Sequence, residues 1–215
     1  MKIFLVLALL AAWQDGPTRV GTVDVSKIPD GAKNPELKPV VAQIAGELGL
    51  NVVLDRGAGV IFADESVADI TTAVVRRLAA RRIIAKSKDA KEFADARKSP
   101  IETADAHGLF DKAAKAHDAK DYKTSVPAFR ALVFALYDGA DRARVRLAAT
   151  AAYNAACGGA LDGRKDEALD WLEVAVGLGW LDASCECHKI ALDHLAADPD
   201  LESLRGEARY KEITR

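Results

Sequence analysis

The sequence predicts an α+β N-terminal head of order β-α-β-β-α, followed by an all-α array of helical hairpins. Three observations carry this division. Short β-branched runs at Val20–Val25, Asn51–Asp55 and Val60–Ala63 read as strands. From Thr103 onward, apolar residues recur at three and four positions in an Ala-rich background. Between the two lies a charged stretch, helical or flexible, closed by Pro100, which reads as a linker over 81–102.

The first residues, MKIFLVLALLAAWQDG, place a basic Lys2 before an apolar run from Ile3 to Ala12. That run is much shorter than the roughly 20 apolar residues needed to cross a bilayer. It reads as a secretory signal over 1–13, with small Ala12 as the last residue before cleavage. The alternative is a buried first strand or helix. With no Cys just after the run, a lipoprotein anchor is not expected, and the processed chain is expected outside the cytoplasm, in the periplasm or otherwise exported.

The head is expected over 20–80. VGTVDV, Val20 to Val25, alternates as a strand does. SKIPDGAKNP then breaks regular structure with two prolines and a glycine. Leu37, Val40, Val41, Ile44 and Leu48 follow helical spacing, and Gly49 stands where a helix stops. Asn51–Asp55 and Val60–Ala63 read as two strands of a hairpin, with Gly57 and Gly59 in the turn. A phosphate-loop reading of those glycines fails, because no Gly-Lys-Ser/Thr follows and the loop leads into a strand. Asp69 is placed to cap a helix starting at Ile70, with Val74, Val75 and Leu78 on its apolar face. Consecutive apolar residues in both hairpin strands ask for cover on both faces, by helices and by a neighbouring subunit.

GLNVVLD, VIFA and ADIT, followed by Val74 and Leu78, resemble the end of the OmpH/Skp family of periplasmic chaperones, and VGTVDVSKI resembles that family's opening strand. The resemblance spans Val20 to Leu78. It implies a small head that assembles, as a homotrimer in that family, with Val52, Leu54, Ile61 and Phe62 as assembly residues. Family members enclose unfolded outer-membrane proteins between long helical tentacles. Here only one short helix fits between Val25 and Asn51, so the tentacles are absent.

The helical region, 103–215, begins with a helix spaced by Leu109, Ala113 and Ala116. DYKTSVPAFRALVFAL, ARVRLAATAAYNAACGGAL and DEALDWLEVAVGLG supply three more, with small residues where helices must approach. Leu109, Ala113, Tyr122, Ser125, Phe129 and Leu132 resemble one tetratricopeptide repeat. Ala156, Gly163, Ala168, Leu172 and Ala175 resemble a second, of the type that ends bacterial arrays together with DPDLESLRGEARYKEI. Ser125 and Ala168 are then equivalent positions, farther apart than the usual period of about 34 residues, and the surplus falls around Tyr137–Asp141. The resemblance implies partner-binding residues on a concave side, for which Arg146, Tyr153, Asn154 and Arg164 are the candidates. Tyr153 and Asn154 also suit helix-to-helix packing.

No pattern specifies catalysis, and no cofactor is called for. The 215 residues carry a net charge of −2, without the clustered Lys and Arg that nucleic-acid binding needs. Cys185, Cys187, His188 and nearby His194 are the one cluster that suggests a metal, but Cys-x-Cys is tight for a structural zinc site. Three cysteines leave at least one thiol outside any internal pair. Cys157 is expected either to pair with Cys185 or Cys187 or to be buried in its helix. His107 and His117 have no partner at a catalytic spacing. Asp198-Pro199-Asp200 reads as a helix-initiating turn with Asp200 as the cap.

The function expected from these readings is an exported protein-interaction or chaperone-like factor, not an enzyme, with a protein partner or unfolded client. Two alternatives stand beside it. One is a monomeric adaptor with a degenerate head. The other is a redox or metal protein using Cys185, Cys187 and His188.

Overall fold

The computed structural model describes residues 6–8, 19–50, 52–55, 68–87, 103–138, 141–180 and 187–215. The chain divides into two compact units, residues 1–78 with 140–142, and residues 79–139 with 143–215.

The first unit contains strands β1 (Val6–Ala8), β2 (Val20–Val23), β3 (Val52–Asp55) and β4 (Ala68–Asp69), in the sheet order β1-β3-β2-β4. β2 runs parallel to both β3 and β4, whereas β1 is antiparallel to β3. Parallel neighbours need a crossover. Helix α1 (Leu37–Leu48) supplies it between β2 and β3. Leu37, Val40, Val41 and Ile44 of the apolar stripe are buried, Leu48 is half-buried, and Gln43 and Ala45 are buried beside them. Pro39 is tolerated because it lies in the first turn, where an N–H has no intrahelical acceptor. Gly49 ends α1 at φ +65°, a left-handed conformation that glycine adopts without strain, and its N–H reaches the Ala45 and Gly46 carbonyls.

The hairpin reading of β3 needs correction. β3 lies between β1 and β2, so both its edges are already paired, and the next described strand, β4, joins β2. A short apolar run states that a strand is buried but not which strands flank it. Val60–Ala63, with Ile61 and Phe62, lies outside the described residues. Asp69 does cap: its Oδ1 accepts from the Thr71 backbone N–H at 3.0 Å, at the start of helix α2 (Thr71–Lys86). The Thr71 hydroxyl in turn accepts from Asp24 N at 2.8 Å, tying that helix start to the end of β2. The core of this unit joins Val23, Ile28, Leu37, Val40, Ile44, Val53, Ile70, Val74 and Leu78.

α2 does not stop at Leu78. It runs on through Lys86, and Ala80 and Ile84 are buried in the core of the second unit, so the stretch read as linker begins as helix.

The second unit is a helical array. It comprises α3 (Thr103–Asp118), α4 (Tyr122–Leu136), α5 (Arg142–Leu161), α6 (Lys165–Gly177), α7 (Cys187–Ala197), a 3-10 helix (Pro199–Leu204) and α8 (Ala208–Ile213). Asp121 caps α4 through Thr124 N, and Gly163 at φ +76° makes the tight turn from α5 to α6. The second half of α5, from Ala151 to Ala160, is buried on nearly every side. A helix covered all round sits at the centre of its unit.

Small residues make that position available. A Cβ added at Gly158 would lie 2.6 Å from Val126 Cγ2 of α4, and one at Gly159 would lie 3.4 Å from the Ala168 Cβ of α6. Gly158→Ala therefore sets a gain in helix propensity of about 1 kcal/mol against an overpacking cost of about 1–3 kcal/mol. The expected result is net destabilisation in the wild-type background and a neutral or stabilising effect in a Val126→Ala background, read by urea titration. An equal effect in both backgrounds would mean that this crossing is not tight.

Candidate functional site

The four candidate partner residues fall in three places. Arg146 and Asn154 share one line of α5 with Thr150 between them, each four residues from the next. The Thr150 hydroxyl donates to the Arg146 carbonyl at 3.0 Å, and Asn154 Nδ2 donates to the Thr150 carbonyl at 2.9 Å. Arg146 is exposed; Thr150 and Asn154 are half-buried.

Arg164 stands at the other end of α5. That helix has 20 residues, so its ends lie about 30 Å apart at about 1.5 Å per residue. Arg164 bonds Asp162 at 2.9 Å and Glu167 at 2.7 Å. It does not share a site with Arg146.

Tyr153 is internal, 6% exposed. Its ring stacks on Trp180 with centroids 4.0 Å apart and planes 6° apart. Its hydroxyl donates to Asp198 Oδ2. Of the two roles the sequence leaves open for Tyr153, packing is the one the structure gives it.

Asp198 is the hub of that junction. Its Oδ2 also lies 3.3 Å from His194 Nε2 and 4.0 Å from the Cys157 sulfur. Its Oδ1 accepts from Asp200 N at 2.9 Å, and its backbone carbonyl accepts from Arg205 at 2.6 Å. Asp198, not Asp200, is therefore the cap, and it starts the 3-10 helix. Pro199 occupies the first helical position, which makes the residue before it the cap. Asp200 instead faces His117, at 3.4 Å from Nε2. The final helix α8 is preceded by Glu207, which makes no side-chain cap.

The chemistry open to this junction is limited by its electrostatics. Burial, then the Asp198 and Asp200 carboxylates, push the Cys157 thiol well above its ordinary range. The thiolate is the nucleophile, so this sulfur is suited to packing and not to attack. Cys157 is buried and free of any disulfide. Cys185 lies outside the described residues, and Cys187 and His188 begin α7. Among the described residues, no group of three or more His, Cys, Asp or Glu side chains is placed to hold a metal.

A cleft of about 590 Å³ that the sequence does not announce opens beside α4 and α6. It is lined by Ile83, Lys86, Ser87, Arg130, Glu167, Asp170 and Trp171. Trp171 is buried, with the Arg130 guanidinium 5.4 Å above its ring centroid. Arg130 bonds Glu167, which also takes Arg164, while Asp170 takes Arg209 at 2.7 Å. Burial lowers the pKa of Arg130 against the opposing pull of Glu167. Both signs of charge thus line the cleft together with Ile83 and Trp171. These residues come from helices far apart in sequence, and no local motif joins them.

Comparison with protein families, with characterised proteins and with solved structures finds no match. The geometry alone therefore bears on function. Among the described residues, no helix is long and apolar enough to cross a membrane.

Proposed function

We propose that the chain is an exported protein-binding factor of chaperone-like type, with an OmpH-like α+β head that assembles and a tetratricopeptide-like helical unit that engages a polypeptide. The observation that carries this reading is the cleft of about 590 Å³ over Trp171. Its volume falls in the range of about 300–1,000 Å³ typical of ligand sites. A lining of both charge signs with Ile83 and Trp171 suits a short stretch of polypeptide with both apolar and charged side chains better than a ligand of one charge. Assembly through the head would place several such clefts on one particle, and linked weak sites bind far more tightly than single ones.

The test uses a urea-unfolded outer-membrane β-barrel protein diluted into buffer, with light scattering followed over time. The full chain in excess is expected to reduce scattering at least twofold. Asp170→Lys, which reverses a charge on the half-exposed rim, is expected to lose most of that effect while keeping the helical circular dichroism. Scattering unchanged by the wild-type chain would sink the chaperone-like reading. Retention of the full effect in Asp170→Lys would remove the cleft from it.

A further inference from the structure

The charged side chains about the Trp171 cleft do not all balance. Arg130, Arg164, Glu167 and Asp162 are bonded to one another, two charges of each sign. Two lining residues stand outside that balance. Lys86, exposed in the last turn of α2, makes no ion pair among the described residues. Asp170 shares the one Arg209 guanidinium with Glu173, each carboxylate lying 2.7 Å from Nη2. Two carboxylates on one cation leave a negative charge over. Arg209 registers that surplus: burial lowers its pKa, and its bonds to Glu173 and Asp170 more than reverse the shift.

The cleft therefore carries an uncompensated positive charge from α2 and an uncompensated negative charge from α6. A ligand of one sign is attracted by one of them and repelled by the other. A ligand with both signs satisfies both. Ile83 and Trp171, the apolar part of the same lining, suit an apolar group on that ligand.

We propose that the cleft selects a dipolar segment of polypeptide, in which an acidic and a basic side chain flank an apolar one, the acid pairing with Lys86 and the base with Asp170. This inference rests on the reading of the cleft as a polypeptide site and narrows what that site accepts. The occupant follows from charge complementarity. A wholly acidic or wholly basic segment matches one of the two charges and opposes the other, and an uncharged segment matches neither. Selectivity then comes as much from the repulsion of mismatched segments as from the attraction of the matched one.

Fluorescence anisotropy of dye-labelled peptides, titrated with the full chain, tests this. The peptides share a Leu-Phe-Leu centre and carry, at the two flanking positions, Glu with Lys in either order, Glu twice, Lys twice or Gln twice. The wild-type chain is expected to bind the Glu–Lys peptide, in one of its two orders, about threefold or more tighter than each of the others, the scale of an exposed ion pair. Lys86→Glu, a change at an exposed position, is expected to move the preference to the peptide with Lys twice. Glu173→Gln leaves the cleft lining intact and gives Arg209 to Asp170 alone, so it is expected to close most of the gap between the Glu–Lys peptide and the peptide with Glu twice. Equal affinity for all the peptides, or an unchanged ranking in Lys86→Glu, would overturn the inference and leave the cleft as a polypeptide site. An unchanged gap in Glu173→Gln would overturn the pairing of the basic side chain with a surplus charge at Asp170. No binding of any peptide would remove the cleft from the proposed function, and this inference with it.

Discussion

Phe129→Ala is expected to lower the stability of the helical unit by about 3–5 kcal/mol, the range for deleting a fully buried aromatic ring. Phe129 on α4 is 0% exposed, and its ring meets the Phe110 ring of α3 edge-on at 5.2 Å and the His117 ring at 6.4 Å. Edge-to-face contacts add about 0.5–1.5 kcal/mol beyond the burial of area. The two helices are consecutive, and the ring packs between them. In urea the midpoint of the helical transition, followed by the fluorescence of Trp171 and Trp180, is expected to fall by on the order of 2 M. Leu109→Ala is the control. That side chain is 43% exposed on the same α3, and its loss is expected to cost under about 1 kcal/mol. Similar costs for the two variants would show that α3 does not pack on α4 as described.

The sequence announces elements where local chemistry determines them. The stripe from Leu37 to Ile44 and the left-handed Gly49 define α1 with no tertiary information, because period and stop signal are both local. The same holds for α4 to α6, where small residues at Gly158, Gly159 and Ala168 mark close crossings. Four features escaped local reading for physical reasons. The strand order depends on which edge each strand offers, and a run such as Val52-Val53-Leu54 satisfies any neighbour. The continuation of α2 beyond Leu78 is masked by its arginines, although Ala80 and Ile84 keep the helical spacing and are buried. The junction at Asp198 assembles Tyr153, Cys157 and His194 from two helices, and the sequence offers only the proline that follows Asp198. A closer reading of Pro199 as the first helical residue finds the cap but not its partners. The cleft over Trp171 has no local signal at all, since Arg130 and Glu167 meet only once α4 and α6 are packed.

Removing Arg77 is expected to destabilise the first unit strongly. Its guanidinium bonds both Glu47 oxygens, at 2.9 and 3.1 Å, with side-chain exposures of 4% for Arg77 and 13% for Glu47. Two charges taken this far out of water attract strongly, but their desolvation offsets much of that attraction. The net worth of the pair is therefore small even though the cost of breaking it is large. Arg77→Met leaves the Glu47 carboxylate buried without this guanidinium, and such losses run to about 3–5 kcal/mol. Glu47→Gln combined with Arg77→Met removes both charges and is expected to restore most of that stability. Hydrogen exchange of the α1 amides, residues 37–48, reads the effect directly in this unit. A loss of about 3 kcal/mol appears as roughly a hundredfold fall in protection if these amides exchange by unfolding of the unit. The double variant should recover at least tenfold of it. If the double variant is as poorly protected as Arg77→Met alone, the cost comes from lost packing of the arginine stem against α1, and the ion pair is incidental to the stability of the head.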